Sequence, residues 1–197
     1  MDKANGVRLF RIAGWCGILA PFLTVVAVYI SIISSSWFSW TGSALSDLGV
    51  SYPSAYYFNS YLIFAGVLAL VFGRGLYHYL PNNRLPKSGA LLFLIGAAAL
   101  LFIGIFTSDT GLMHGVVSAG FFSFSMIAII LIGISELRSP HRTGFMTIIL
   151  GLAAITMFVF PWPGYGIALN EVSSIIFMMG FIFMYGMRLL LTKRENI

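Results

Sequence analysis

Charge is what this sequence has least of: only 9% of its 197 residues are Asp, Glu, Lys or Arg. A soluble domain carries about a quarter of its residues as charged side chains. With 59% of residues hydrophobic and a mean hydropathy of +0.94, the chain cannot cover a water-facing surface, so lipid is its solvent. Cysteine is almost missing. The single Cys16 excludes an intramolecular disulfide and any CxxC metal or redox site, and its place in an apolar run reads as a small buried hydrophobe. Neither GxSxG, HExxH nor a P-loop occurs, so standard nucleophile, zinc-protease and nucleotide signatures are lacking. Nothing points to haem, a nucleotide or a zinc-finger-type site. The net charge of +5 does not indicate nucleic acid, because the basic residues sit at the ends of apolar runs and form no stripe.

What is abundant is apolar sequence, in six runs: Ile12–Ile33, Ala55–Tyr79, Ser88–Thr107, Met113–Ile134, Gly144–Phe160 and Ala168–Met187. Proline and asparagine clusters at Pro81-Asn82-Asn83, Ser139-Pro140 and Pro161-Trp162-Pro163-Gly164 punctuate them. A bilayer crossing needs about 20 apolar residues, and backbone groups in lipid must bond internally. No run shows the alternation of a barrel strand. The expectation is an all-α polytopic protein, one domain over 1–197 with six transmembrane helices, the fifth being the shortest. The first run, preceded by Lys3, Arg8 and Arg11, is longer than a cleavable signal core and reads as a retained span.

Direction follows from the basic residues. Lys3, Arg8, Arg11, Arg74, Arg84, Lys87, Arg138, Arg142, Arg188, Lys193 and Arg194 all fall at one side of the six runs. The positive-inside rule makes that side the cytoplasm and places both termini there, in the cell membrane. Arg74 and Arg188 lie slightly within their runs, within snorkelling reach of the headgroups. Trp37, Trp40 and Trp162 flank the opposite ends as interfacial anchors. Glycines inside spans, such as Gly96 and Gly186, read as points of close helix packing.

The acidic residues divide between the two sides. Asp2, Glu136 and Glu195 stand among the basic residues and read as solvated surface charge. Asp47, Asp109 and Glu171 occur once in each outer loop, at equal intervals of 62 residues. Each ends a similar segment: Gly42-Ser43-Ala44-Leu45-Ser46-Asp47, Gly104-Ile105-Phe106-Thr107-Ser108-Asp109 and Gly166-Ile167-Ala168-Leu169-Asn170-Glu171. The pattern suggests three outward-turning two-helix hairpins, parallel repeats about an axis normal to the membrane. Hairpins of similar length that cross one bilayer offer a plainer account of the same spacing.

Several side chains in these turns can carry chemistry. Asp109 with His114 is the strongest pair, since a carboxylate beside an imidazole orients its tautomer or shares a cation with it. Ser46 and Asp47, and Asn170 and Glu171, can equally cap helix starts. Asp47, Asp109, His114 and Glu171 together would suit a divalent cation if the three turns converge. A three-histidine zinc site is excluded, because His78 and His141 lie at the cytoplasmic side, about 30 Å from His114. That removes the chemistry of ceramidase-like membrane hydrolases. The cytoplasmic loops read as topogenic and able to touch anionic headgroups.

On Trp40 through Gly49 (WTGSALSDLG), and on Asp109 followed by His114, the chain resembles a prokaryotic six-helix membrane family catalogued as a domain of unknown function, DUF998. The resemblance implies six helices and a membrane location, directs attention to Asp47, Asp109 and His114, and implies no reaction. The leading expectation is a protein that binds a lipid headgroup, isoprenoid or cation at its extracytoplasmic face. Its pocket would comprise Asp47, Asp109, His114, Glu171, Asn170, Ser46 and Trp40, with Tyr165 nearby. The alternatives are a membrane enzyme on a lipid-linked substrate, with Asp109 and His114 as acid and base, an ion-coupled transporter, and a structural subunit of a membrane complex. Against the transporter, no span carries a charge near its middle. Membrane lipids, and a second copy or a membrane-complex partner, are the expected associates.

Overall fold

A computed structural model of the chain describes residues 3–137 and 143–192. Asp2, Arg138, His141, Arg142, Lys193, Arg194 and Glu195, which the topology reading used, lie outside them. Among the described residues the protein is all-helical, with six α-helices: α1 Lys3–Ile33, α2 Ser54–Tyr79, α3 Arg84–Ile103, α4 Leu112–Glu136, α5 Thr143–Val159 and α6 Ile167–Leu191. Two short 3₁₀ turns, Leu45–Gly49 and Ser108–Thr110, lie in the first and second loops of the acidic end. All helices but α5 are long and apolar enough to cross a bilayer. At 17 residues α5 extends about 25 Å. The protein is a polytopic helical membrane protein. Its first helix begins earlier than its apolar run, so Arg8 and Arg11 lie on helix rather than before it.

Each helix packs chiefly against its two neighbours in sequence, and α6 returns to α1, so the six close into a ring. Large apolar side chains cover the outside: Trp15, Phe22, Tyr29 and Phe145 are all exposed. Water would make such a surface aggregate; hydrocarbon accepts it. With lipid as apolar as leucine, no hydrophobic drive holds the helices together, and close van der Waals packing must. Glycines supply it at the seams. At α1–α6, Gly14, Gly17 and Gly186 bring the two backbones together. At α2–α3, a Cβ on Gly66 would lie 2.6 Å from the Leu101 Cβ and 2.8 Å from its backbone N and Cα. Backbone cannot swing aside as a side-chain tip can. Gly66→Ala is therefore expected to force the helices apart at a cost of about 1–3 kcal/mol, read as a lower melting midpoint in detergent.

Ring closure leaves the interior in three layers. At the acidic-turn end the middle is hollow. Next comes an aromatic layer, in which Phe72 packs on Phe93 (5.4 Å between ring centroids), Phe93 on Phe181 (6.0 Å) and Phe181 on Tyr185 (4.7 Å). Toward the basic end lies a polar cluster. Glu136 accepts from Arg188 Nη1 at 2.7 and 3.0 Å, from the Tyr185 hydroxyl at 2.8 Å and from the Thr143 hydroxyl at 3.1 Å. The Arg188 guanidinium also lies over the Tyr185 and Tyr79 rings, at 5.0 and 5.3 Å. This corrects the reading of Glu136 as solvated surface charge: it is 6% exposed and joins α4, α5 and α6.

Candidate functional site: a hollow beneath three converging turns

The hollow arises because small side chains face the ring axis on three successive helices. Ala20 on α1, Ala65 and Ala69 on α2 and Ala97 on α3 stand where larger residues would fill the space. Their spacing along α2 and the 93, 97, 100 spacing along α3 each mark one helical face. Phe93, Phe122 and Met178 form deeper wall. The cavity measures about 120 Å³, within about 1070 Å³ of empty space that includes its open mouth. For scale, an apolar cavity of about 150 Å³ in a protein core stays dry and takes up benzene. The α5 helix contributes no wall.

Few polar groups enter this apolar space. On α1 and α2, the Thr24 hydroxyl and the Tyr61 hydroxyl lie 2.6 Å apart and both reach the Ala20 carbonyl, at 2.9 Å each. On α4, Ser118 and Ser125 fall one above the other, seven residues apart, on the inward face. Ser125 is 2% exposed and lines the cavity. It occupies the space that Gly96 leaves free, since a Cβ there would lie 2.4 Å from the serine oxygen. At the acidic-turn end Ser46 and Glu171 complete the wall.

The three acidic turns do meet above this hollow. Glu171, in the first turns of α6, reaches the 3₁₀ turn that follows the neighbouring α1 and accepts the Leu45 backbone N–H on Oε2 at 2.6 Å. Backbone bonds reinforce the junction: Gly166 N–H to the Trp40 carbonyl at 2.8 Å and Ala168 N–H to the Ser43 carbonyl at 3.1 Å. Gly166 is obligatory in this approach, because its Cβ would sit 2.8 Å from the Ser43 carbonyl oxygen. The second turn joins through Ser108, whose hydroxyl donates to Asp47 Oδ1 at 3.2 Å. The other carboxylate oxygen, Oδ2, accepts the Ala44 N–H at 2.8 Å, so Asp47 caps its own 3₁₀ turn.

Not every predicted residue joins the cavity. Asp109 is exposed and accepts from the Thr107 hydroxyl. His114 turns from it: the Phe106 carbonyl can only accept, so Nδ1 donates to it at 2.8 Å, and Nε2 faces the Ser118 hydroxyl at 3.2 Å. Among the described residues no hydrogen bond or ion pair joins Asp109 to His114. Instead of capping α6, Asn170 closes the end of α5, donating to the carbonyls of Phe158 at 3.0 Å and Phe160 at 2.6 Å. Ser46 lies within its 3₁₀ turn, where Ala44 holds the N-cap position. Trp40 stays partly exposed and stacks edge-on against Phe38, and Tyr165 is exposed beyond the rim. Among the described residues, no three His, Cys, Asp or Glu side chains are grouped so as to hold a metal ion.

The sequence model of the family described as "Protein of unknown function (DUF998)" matches residues 18–188. The chain belongs to this family. The match runs from the first half of α1 to Arg188, so the family's domain contains the cavity wall, the converging turns and the Glu136–Arg188 cluster. No curated protein matches, nor does any solved structure. Thr24, Tyr61, Ser118, Ser125 and Tyr185 escaped the sequence reading. Their signal was present as hydroxyls recurring on one face of an apolar helix, Ser118 and Ser125 most clearly.

Proposed function

We propose that this protein binds one amphipathic small molecule of lipid type, its acyl or isoprenoid chain in the hollow and its polar head among the acidic turns. The observation that carries the reading is an apolar cavity walled by alanines, with Glu171 and Ser46 in its wall at the acidic-turn end. Ligand pockets are concave and mostly apolar, with a few convergent polar groups that fix orientation. This one has that composition, and the aromatic layer below supports a closed binding pocket rather than a channel through the ring. Confinement of basic residues to the opposite end supports a cell-membrane protein with cytoplasmic termini, its pocket facing the outer leaflet.

Native mass spectrometry of protein released from mild detergent tests the reading. The expected spectrum shows one amphiphile retained per chain, surviving a delipidating wash that strips annular lipid. A chain that emerges only at its bare mass, and takes up no single-chain amphiphile when one is supplied, would overturn it.

A further inference from the structure

The acidic-turn end of the ring is one-signed. Its three connecting segments, with the first turns of α6, carry Asp47, Asp109 and Glu171 and not one Lys or Arg. Asp47 is fully engaged, one oxygen taken by Ala44 N–H and the other by the Ser108 hydroxyl. Glu171 differs. Its Oε2 holds the Leu45 N–H, while Oε1 has no partner among the described residues, and the side chain forms part of the cavity wall. A carboxylate among apolar groups is costly unless a cation or further donors meet it. Buried polar groups in native proteins are hydrogen-bonded as a rule, so a second carboxylate oxygen left over in the wall of an apolar hollow points to a guest that supplies its donor.

Resting on the reading of the cavity as an amphiphile site, we propose that its ligand is a lipophilic cation. A single-chain ammonium places its N–H donors on Glu171 Oε1, and its chain runs inward past Ala65 and Ala97. An anionic head is disfavoured twice: it meets Glu171 and Asp47, and no basic side chain at this end compensates it. A neutral alcohol of equal length fits the hollow and forgoes the charge-assisted bond.

The test compares three probes of one chain length, dodecylamine, dodecanol and dodecanoate, on the full chain in phosphatidylcholine nanodiscs at neutral pH. The expected order places dodecylamine at least about tenfold tighter than dodecanol, as one hydrogen bond to a charged group implies, with dodecanoate weakest. Glu171→Gln keeps an amide oxygen for the Leu45 N–H, and is expected to bring the amine level with the alcohol. Equal affinities in the wild-type protein, or a preference for dodecanoate, would overturn the cationic assignment and leave the amphiphile site standing. Failure of all three probes to bind would overturn both. The wild-type ranking decides the matter even if the Glu171→Gln protein does not fold.

Discussion

Arg188→Ala is expected to destabilise the folded protein by about 3–5 kcal/mol, the range for removing one partner of a buried ion pair. The carboxylate it leaves behind is 6% exposed and sits between three helices. Two hydroxyls, from Tyr185 and Thr143, would remain as donors to Glu136, but among the described residues no positive charge would. The guanidinium also packs over two tyrosine rings, so the substitution removes packing on Tyr79 together with the charge. Glu136→Gln should cost less. Its amide oxygen still accepts from Tyr185, and Arg188, whose side chain retains 21% exposure, can turn toward the headgroups. Replacing both residues by leucine should recover much of the Arg188→Ala loss, because no uncompensated charge stays behind. Melting midpoints in detergent, followed by tryptophan fluorescence, order the variants. An Arg188→Ala protein that melts with the wild type would show the pair to be solvated.

That cluster also marks where sequence reading stops. The spans were legible because a bilayer imposes a minimum apolar length, and even the short fifth helix stood out as such. The burial of Glu136 was not legible. Standing beside Arg138 and Arg142 in sequence, it has the surroundings of a surface charge, and only ring closure brings Arg188 and Tyr185 of α6 against it. The three similar loop segments make the same point. Their glycines, small polar residues and acids repeat in sequence, yet each acid has different partners: Asp47 its own turn and Ser108 of the second hairpin, Asp109 the nearby Thr107, and Glu171 a backbone N–H on another hairpin. Spacing predicted that acids would gather at one end. Which would face the cavity depends on how the hairpins lean together, and short polar side chains report nothing of that. The hollow itself was silent for a related reason. An alanine within an apolar run is ordinary, and Ala20, Ala65, Ala69 and Ala97 become a wall only when three helices present them to one axis.

Ala97→Phe should abolish amphiphile binding, lowering affinity by well over about tenfold, equivalent to more than about 1.4 kcal/mol. The side chain faces the axis rather than a neighbouring helix, on the same face of α3 as Phe93 and Leu100. A benzyl group there would extend the aromatic layer one turn toward the acidic end and occupy space the ligand chain needs. Cost to the fold should be small, since the new ring enters a void where apolar groups are already packed around its rim. Filling a cavity is among the commoner routes to a more stable protein, so the melting midpoint of the ligand-free variant should stay level or rise. The combination is diagnostic: binding lost while stability is kept separates a blocked pocket from a damaged fold. Ala97→Ser, which adds a single hydroxyl, should bind as the wild type does. If Ala97→Phe retained full affinity for a long-chain probe, the chain would have to lie outside the ring, against the lipid-facing surface, and the interior hollow would lose its role as the ligand site.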